Sequence, residues 1–319
     1  MNKRVWKYIT VIGIFLFAVL ITYFLKGGND GPILPGPGTQ QKRFENDVTA
    51  ATPHVSLVRS DGTTMWLDTV RAGLLPGGGI IRKTDSNSLV LLPGADPDSG
   101  RVNTLITGIG VRYELILPDG SRVWLNAGST FQFPNAFSDS SRNVFLSGEA
   151  CFDIAPSAKA PFTVSTARCS VRVLGTRFNL RAYDGDDTRI TLGEGLLRVR
   201  MGNDNVVLRP GEQALLSEWG RISIDSANIS GTTAWRQDLF WFQSASFEDV
   251  MAELCRWYPI HVHFLGKVSG NFSGILPKSH SLIEVLKTLE LSGYVHFRIH
   301  RNEVEVIPVF DKPQEMPTA

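Results

Sequence analysis

The sequence predicts a mainly β protein: a jelly-roll-like β-sandwich, then a small α+β domain of repeated β-α-β units, with one N-terminal transmembrane helix. Three observations carry this. Residues 8–25 form an apolar run with no charged side chain. Short apolar segments then recur between tight-turn dipeptides at roughly 8–12 residue spacing, the rhythm of a sandwich or barrel. Helical periodicity first shows at Ser246, and helices alternate with strands from there.

Every residue of the first run is apolar, a small hydroxyl or glycine. At about 1.5 Å rise per residue it just spans a hydrocarbon layer of roughly 30 Å, with Trp6, Tyr8 and Tyr23 suited to the interfaces. Lys3, Arg4 and Lys7 precede it and only Lys26 follows closely. That bias keeps residues 1–7 in the cytoplasm and sends the bulk across. A cleavable signal peptide is the alternative, but the run is long for one and Tyr23-Phe24-Leu25 is no small-residue cleavage site. Residues 26–47, with GGNDGPILPGPG at 27–38, read as a Gly/Pro-rich tether.

The β-domain is read as residues 48–228. LVRSDGTTMWLD around Asp61-Gly62 aligns with LILPDGSRVWLN around Asp119-Gly120, placing Trp66 on Trp124 and Leu67 on Leu125. Asp-Gly between alternating apolar residues is a hairpin signal, so this is a duplicated hairpin, the first expected to extend the sheet begun by the second. Loops are expected at 77–79 and 93–100. Strands are expected at 131–134, 144–146, 152–155, 162–164, 171–174, 178–180, 190–192, 196–199, 206–208 and 213–216, with turns at 193–195, 202–205 and 210–211. A two-sheet sandwich of jelly-roll type closes such a series and shelters its edges.

The α+β domain is read as residues 235–310, ahead of a tail at 311–319. Phe247, Val250, Met251 and Leu254 share one helix face behind Ser246 as N-cap. Leu282, Val285, Leu286 and Leu289 repeat the pattern behind Ser281, and Gly293 ends that helix. Strands follow at 261–265, 295–299 and 304–309.

Composition excludes several functions. There are 32 basic and 31 acidic residues, so no bulk field favours nucleic acid. Cys151, Cys169 and Cys255 fit no zinc spacing and read as buried small apolar side chains, with a Cys151–Cys169 bridge as the alternative. His261, His263, His296 and His300 lack acidic or Cys ligands at metal spacing, so neither metal nor cofactor is expected. Asp119, Glu149, Asp153 and Glu194 are carboxylates that glycosidases would use in pairs, yet each is better placed in a turn or strand. No Ser-His-Asp order, HExxH or phosphate loop occurs, and no enzyme is expected.

The run LPDGSRVWLN at 117–126, GEACFDIA at 148–155, PFTVST at 161–166 and VLGTRFN at 173–179 carries a resemblance. In identity, order and spacing these elements resemble the periplasmic domain of the FecR family of transmembrane anti-sigma regulators. Cys151 stands where the family pattern has an aromatic. The C-terminal part, with RWY at 256–258 and SLIEVLKTLE at 281–290, resembles the secretin and TonB short N-terminal domain found in the Bacteroidetes-like branch. The resemblance covers roughly residues 48–309.

It implies a single-pass inner-membrane protein whose periplasmic bulk senses a signal and regulates an extracytoplasmic-function sigma factor. The partner it implies is the signalling domain of a TonB-dependent outer-membrane transporter. Strand pairing in the α+β domain is the expected contact, through His261, His263, Arg298, His300, Val304 and Val306. Seven residues precede the predicted span, where the family carries a helical sigma-binding domain, so the expectation is either a late start codon or split gene, or a sensor that does not itself bind sigma. Some members cleave themselves at a Gly-Thr pair in the LGT element by acyl shift to the Thr hydroxyl, which here points to Gly175-Thr176. The simpler reading is a glycine-permitted bend with the hydroxyl tied to backbone. A membrane-tethered glycan-binding jelly roll is the alternative for the whole chain, and a glycoside hydrolase comes third.

Overall fold

A computed structural model of the chain describes residues 43–309 apart from 53, 72, 75–80, 86, 92–100 and 218. The expected span at 8–25, most of the tether, the loops at 77–79 and 93–100 and the tail lie outside the described residues. Among the described residues no helix is long and apolar enough to cross a membrane.

In chain order the strands are β1 (Val55–Val58), β2 (Thr64–Trp66), β3 (Gly73–Leu74), β4 (Ile81–Asp85), β5 (Ser88–Leu91) and β6 (Val102–Thr107). Then come β7 (Tyr113–Ile116), β8 (Arg122–Leu125), β9 (Thr130–Pro134), β10 (Arg142–Asp153), β11 (Phe162–Ser165) and β12 (Ser170–Val173). The series ends with β13 (Arg177–Ala182), β14 (Thr188–Glu194), β15 (Leu197–Met201), β16 (Asp204–Leu208), β17 (Glu212–Leu216) and β18 (Ile222–Ser226).

These strands pair into two sheets. One runs β2-β1-β6-β9-β10-β11-β12-β15-β16. The other runs β3-β4-β5-β7-β8-β10-β13-β14-β17-β18. Strand β10 belongs to both: Phe145 to Ser147 pair with β9, and Gly148 to Asp153 pair with β13. The strands expected at 144–146 and 152–155 are therefore one strand, bent at Gly148. Its φ of 113° favours glycine, and a Cβ there would collide with Ser129. A single apolar core lies between the sheets: Phe131 of one packs against Phe152 of the other at 6.1 Å, and Phe152 stacks on Phe178 at 4.7 Å.

Two expectations change here. A jelly roll has eight strands, whereas strands β1 to β18 build these sheets. From β11 onward hairpins alternate between the sheets and lengthen both together, in place of the four-on-four closure. The duplicated hairpin is real in its chemistry but not in its placement. Gly62 and Gly120 have φ of 84° and 81°, and Asp61 and Asp119 accept from the backbone N–H two residues on at 2.8 and 3.1 Å. Yet β1 pairs with β6 in one sheet, while β7 pairs with β5 in the other. Turn chemistry fixes each hairpin, and the flanking strands decide which sheet receives it.

After β18 come α1 (Ile229–Thr232), a 3₁₀ turn (Ala234–Gln237), β19 (Leu239–Ser246), α2 (Phe247–Trp257), β20 (His261–Phe264), β21 (Asn271–Pro277), α3 (Leu282–Glu290), β22 (Val295–His300) and β23 (Glu303–Pro308). Strands β19 and β21 pair antiparallel, and a second sheet has the order β20-β23-β22. Ser246 Oγ accepts from Asp249 N at 3.0 Å, and Ser281 and Glu284 complete a reciprocal capping box. The apolar faces of α2 and α3 close a second core with Phe240, Phe297, Ile299, Val304 and Val306. The sequence reading did not anticipate β19 and β21, although buried Phe240 and Phe242 alternate with Trp241 and Gln243.

Candidate functional site

Just past the bend of β10, Glu149 is 5% exposed. Its carboxylate accepts from Asn126 Nδ2 and Asn179 Nδ2, both at 2.9 Å. Asn179 Oδ1 in turn accepts from the indole Nε1 of Trp235, in the 3₁₀ turn, at 3.3 Å. One buried carboxylate thus ties the sandwich to the start of the C-terminal lobe.

Two residues along β13 from Asn179, and so on the same face, Arg181 reaches Glu253 of α2 at 3.0 Å and Asp186 at 3.1 Å. Arg256 reaches the same two acids, Asp186 at 2.6 Å and Glu253 at 3.3 Å, while Lys278 Nζ approaches Glu253 at 3.9 Å. Both guanidinium groups lie over the ring of Tyr183, whose hydroxyl donates to the Ala127 carbonyl at 2.8 Å. Burial alone would raise the Glu253 carboxyl, but Lys278, Arg181 and Arg256 outweigh it and hold it below its ordinary value. Burial depresses the Lys278 ammonium despite Glu253, and it pushes the Tyr183 phenol well up. Beside this seam lies a cleft of about 500 Å³, with Arg181, Arg189, Trp235, Trp241, Asp249 and Glu253 in its wall.

The residues expected to meet a partner fall into three groups. Val304 and Val306, on central strand β23, are fully buried and cannot meet a partner's side chains; they hold the lobe's core. Arg298 and His300 lie on β22, where Arg298 pairs with Glu305 at 2.6 Å and His300 with Glu45 at 2.5 Å. The outer edge of β22 is already taken by the chain itself, since Phe44 bridges Ile299 in parallel. His261 and His263 lie exposed on β20, and His263 pairs with Glu303 at 2.7 Å. That strand pairs with β23 on one side, and no described strand covers the other.

At Gly175-Thr176 the hydroxyl of Thr176, 5% exposed, donates to the Leu196 carbonyl at 3.1 Å. A Cβ on Gly175 would stand 2.7 Å from Pro156 Cα, so the glycine is required by close backbone approach. The carboxylates weighed for glycosidase chemistry all have structural partners. Asp119 braces its turn and pairs with Arg142, and Asp153 and Glu194 flank Arg177, each at 3.1 Å. The three cysteines form no disulfide; Cys151 and Cys169 are buried, Cys255 is half-buried, and burial pushes each thiol up. Trp124 lies under the Arg236 guanidinium at 3.7 Å, whereas Trp66 is exposed. Among the described residues no three His, Cys, Asp or Glu side chains are arranged to hold a metal.

Two family models match the chain: FecR protein over residues 103–198, and FecR, C-terminal, over residues 239–306. The chain belongs to the FecR family. The FecR match runs from β6 into β15, and so contains the bent strand, Glu149 and Gly175-Thr176; the FecR C-terminal match runs from β19 into β23. Two crystal structures of a candidate anti-sigma factor from Parabacteroides distasonis ATCC 8503, at 1.65 and 2.50 Å resolution, are similar to it. Both are 27% identical, with TM-scores of 0.61 and 0.62, covering 65% and 66% of this chain and 99% and 100% of theirs. No curated protein matches.

Proposed function

We propose that this FecR-family chain is a sigma-factor regulatory sensor. In this reading the run at 8–25 anchors it in the inner membrane and the bulk is periplasmic. The C-terminal lobe receives the signalling domain of a TonB-dependent outer-membrane transporter, and the output is regulation of an extracytoplasmic-function sigma factor. Family membership supports the regulatory role, as does likeness to an anti-sigma factor candidate.

The observation that carries the contact is the open edge of β20. His261 N donates to Asn302 O at 2.8 Å and Leu265 N to Val306 O at 2.9 Å, so the alternate residues Val262 and Phe264 turn their backbone N–H and C=O outward. Those groups are free to pair with an incoming strand. Proline at 264 removes one outward donor without breaking a bond to β23, which an edge strand tolerates. Phe264→Pro in the full chain is expected to weaken binding of a purified signalling domain at least about tenfold, and Phe264→Ala much less, because main-chain pairing tolerates side-chain change. Unchanged far-ultraviolet circular dichroism and melting control for folding. Equal binding by wild type and Phe264→Pro would refute pairing at this edge.

A further inference from the structure

The C-terminal lobe is built from both ends of the described chain. Residues 43–48 lie along it before the chain enters the sandwich at β1, about 250 residues ahead of the strand they contact. Ile299 N donates to Arg43 O at 2.9 Å, and Glu45 N donates to Ile299 O at 3.3 Å, so this segment is a fourth strand beside β22. Side chains reinforce it. Arg43 pairs with Glu290 and Glu45 with His300. Asn46 exchanges two hydrogen bonds with the backbone of Arg301, both 2.8 Å, and Asp47 accepts from Ile283 N in the first turn of α3 at 3.2 Å. Phe44 and Val48 pack against the lobe's core.

The attachment is the lightest in its sheet. Its strand pairing consists of one bridged pair and two backbone–backbone bonds, against six paired residues between β22 and β23. Arg43, Glu45 and His300 have 46%, 46% and 61% of their side-chain surface exposed, so their ion pairs are open to salt screening. The next outward backbone donor of β22, Phe297 N, is held by Glu290 at 2.8 Å. That carboxylate guards the edge even when the fourth strand leaves.

We propose that Arg43 to Asp47 form a releasable latch. The fourth strand detaches from β22 while the lobe stays folded, and its detachment carries the signal between the lobe and the chain ahead of Arg43. The second half of this statement rests on the sensor reading; the first does not. A shift at the latch needs no route through the sandwich, because the two ends of the described chain already touch.

Amide hydrogen exchange on the full-length protein in detergent tests the latch. Ile299 N–H is bonded only by the latch, whereas Val304 and Val306 sit in the interior strand. The double variant R43A/E45A is expected to speed exchange at Ile299 at least about tenfold and leave Val304 and Val306 unchanged. Raising salt should move wild type in the same direction. Equal protection of Ile299 in both proteins overturns the latch, and so does joint loss at Ile299 and Val304, which would make the strand integral to the lobe. In cells carrying a cognate transporter and a sigma-dependent reporter, R43A/E45A is expected to change reporter output. Unchanged output with a responsive wild type overturns the transmission step alone, and a wild type that responds to no transporter overturns the sensor reading instead.

Discussion

Alanine at Glu149 would leave the amide groups of Asn126 and Asn179 without their acceptor inside the seam. An unsatisfied buried donor costs more than the net value of the bond it loses, so Glu149→Ala is expected to destabilise by about 3 kcal/mol in urea unfolding. Glu149→Gln should lose less, since its carbonyl still accepts and its volume is kept. In the sequence Glu149 stood out only as a carboxylate in a GEA run; its partners lie 23 and 30 residues away and no local pattern announces them. Thr176 was legible in both its readings. Its bond to Leu196 O favours the structural one, so Thr176→Ala should lower stability by about 1 kcal/mol and purified wild type should stay one band with hydroxylamine present. Two fragments that vanish in Thr176→Ala and persist in Thr176→Ser would instead assign the acyl shift.

The starts of helices α2 and α3 were legible to the residue, because their caps and apolar faces are local signals: Ser246 and Ser281 precede the four apolar positions that end up buried, whereas α3 stops at Glu290, short of the expected Gly293. Ser281→Ala removes the hydroxyl from the capping box, and a loss of about 1 kcal/mol is expected, read as a fall in melting temperature of the C-terminal lobe. An unchanged melting temperature would mean that Asp47, which reaches Ile283 N in the same turn, caps the helix alone. Strands were legible in number where turn dipeptides punctuated them and illegible where pairing decided. Strand β10 read as two because Ser147-Gly148-Glu149 interrupts the alternation, although the bend continues both ladders. The hairpin β1–β2 was read into the wrong sheet because identical turns carry no information about which neighbour a strand will find.

At the scale of the molecule, five charged residues spread from Arg181 to Lys278 decide how the two cores stay together. Arg256 was noted only as part of the RWY run and Glu253 lies one helical turn before it; the other three read as ordinary surface-type charges, separated from their partners by loops and strands. Glu253 is the hub: three cations converge on it, and its side chain is 14% exposed. Breaking a buried pair by removing one member is worse than never having made it, because the remaining charges stay desolvated. Glu253→Gln is therefore expected to cost about 3 kcal/mol. The loss should fall on the joint between the cores, turning one cooperative unfolding transition into two, with the C-terminal lobe melting first. The pH dependence follows from the sign of the shift. A carboxyl held below its ordinary value of 4.5 stabilises the fold above that value, and the contribution fades as pH falls through the depressed folded value. Lys278 shifts the other way: its lowered ammonium burdens the fold at neutral pH and is relieved as pH rises toward its ordinary value of 10.5. Wild type should thus lose stability on acidification below about pH 4.5, and Glu253→Gln should show a shallower acid slope from a lower starting point. Parallel acid slopes for the two proteins would mean that Asp186, shared by Arg181 and Arg256, holds the seam without Glu253.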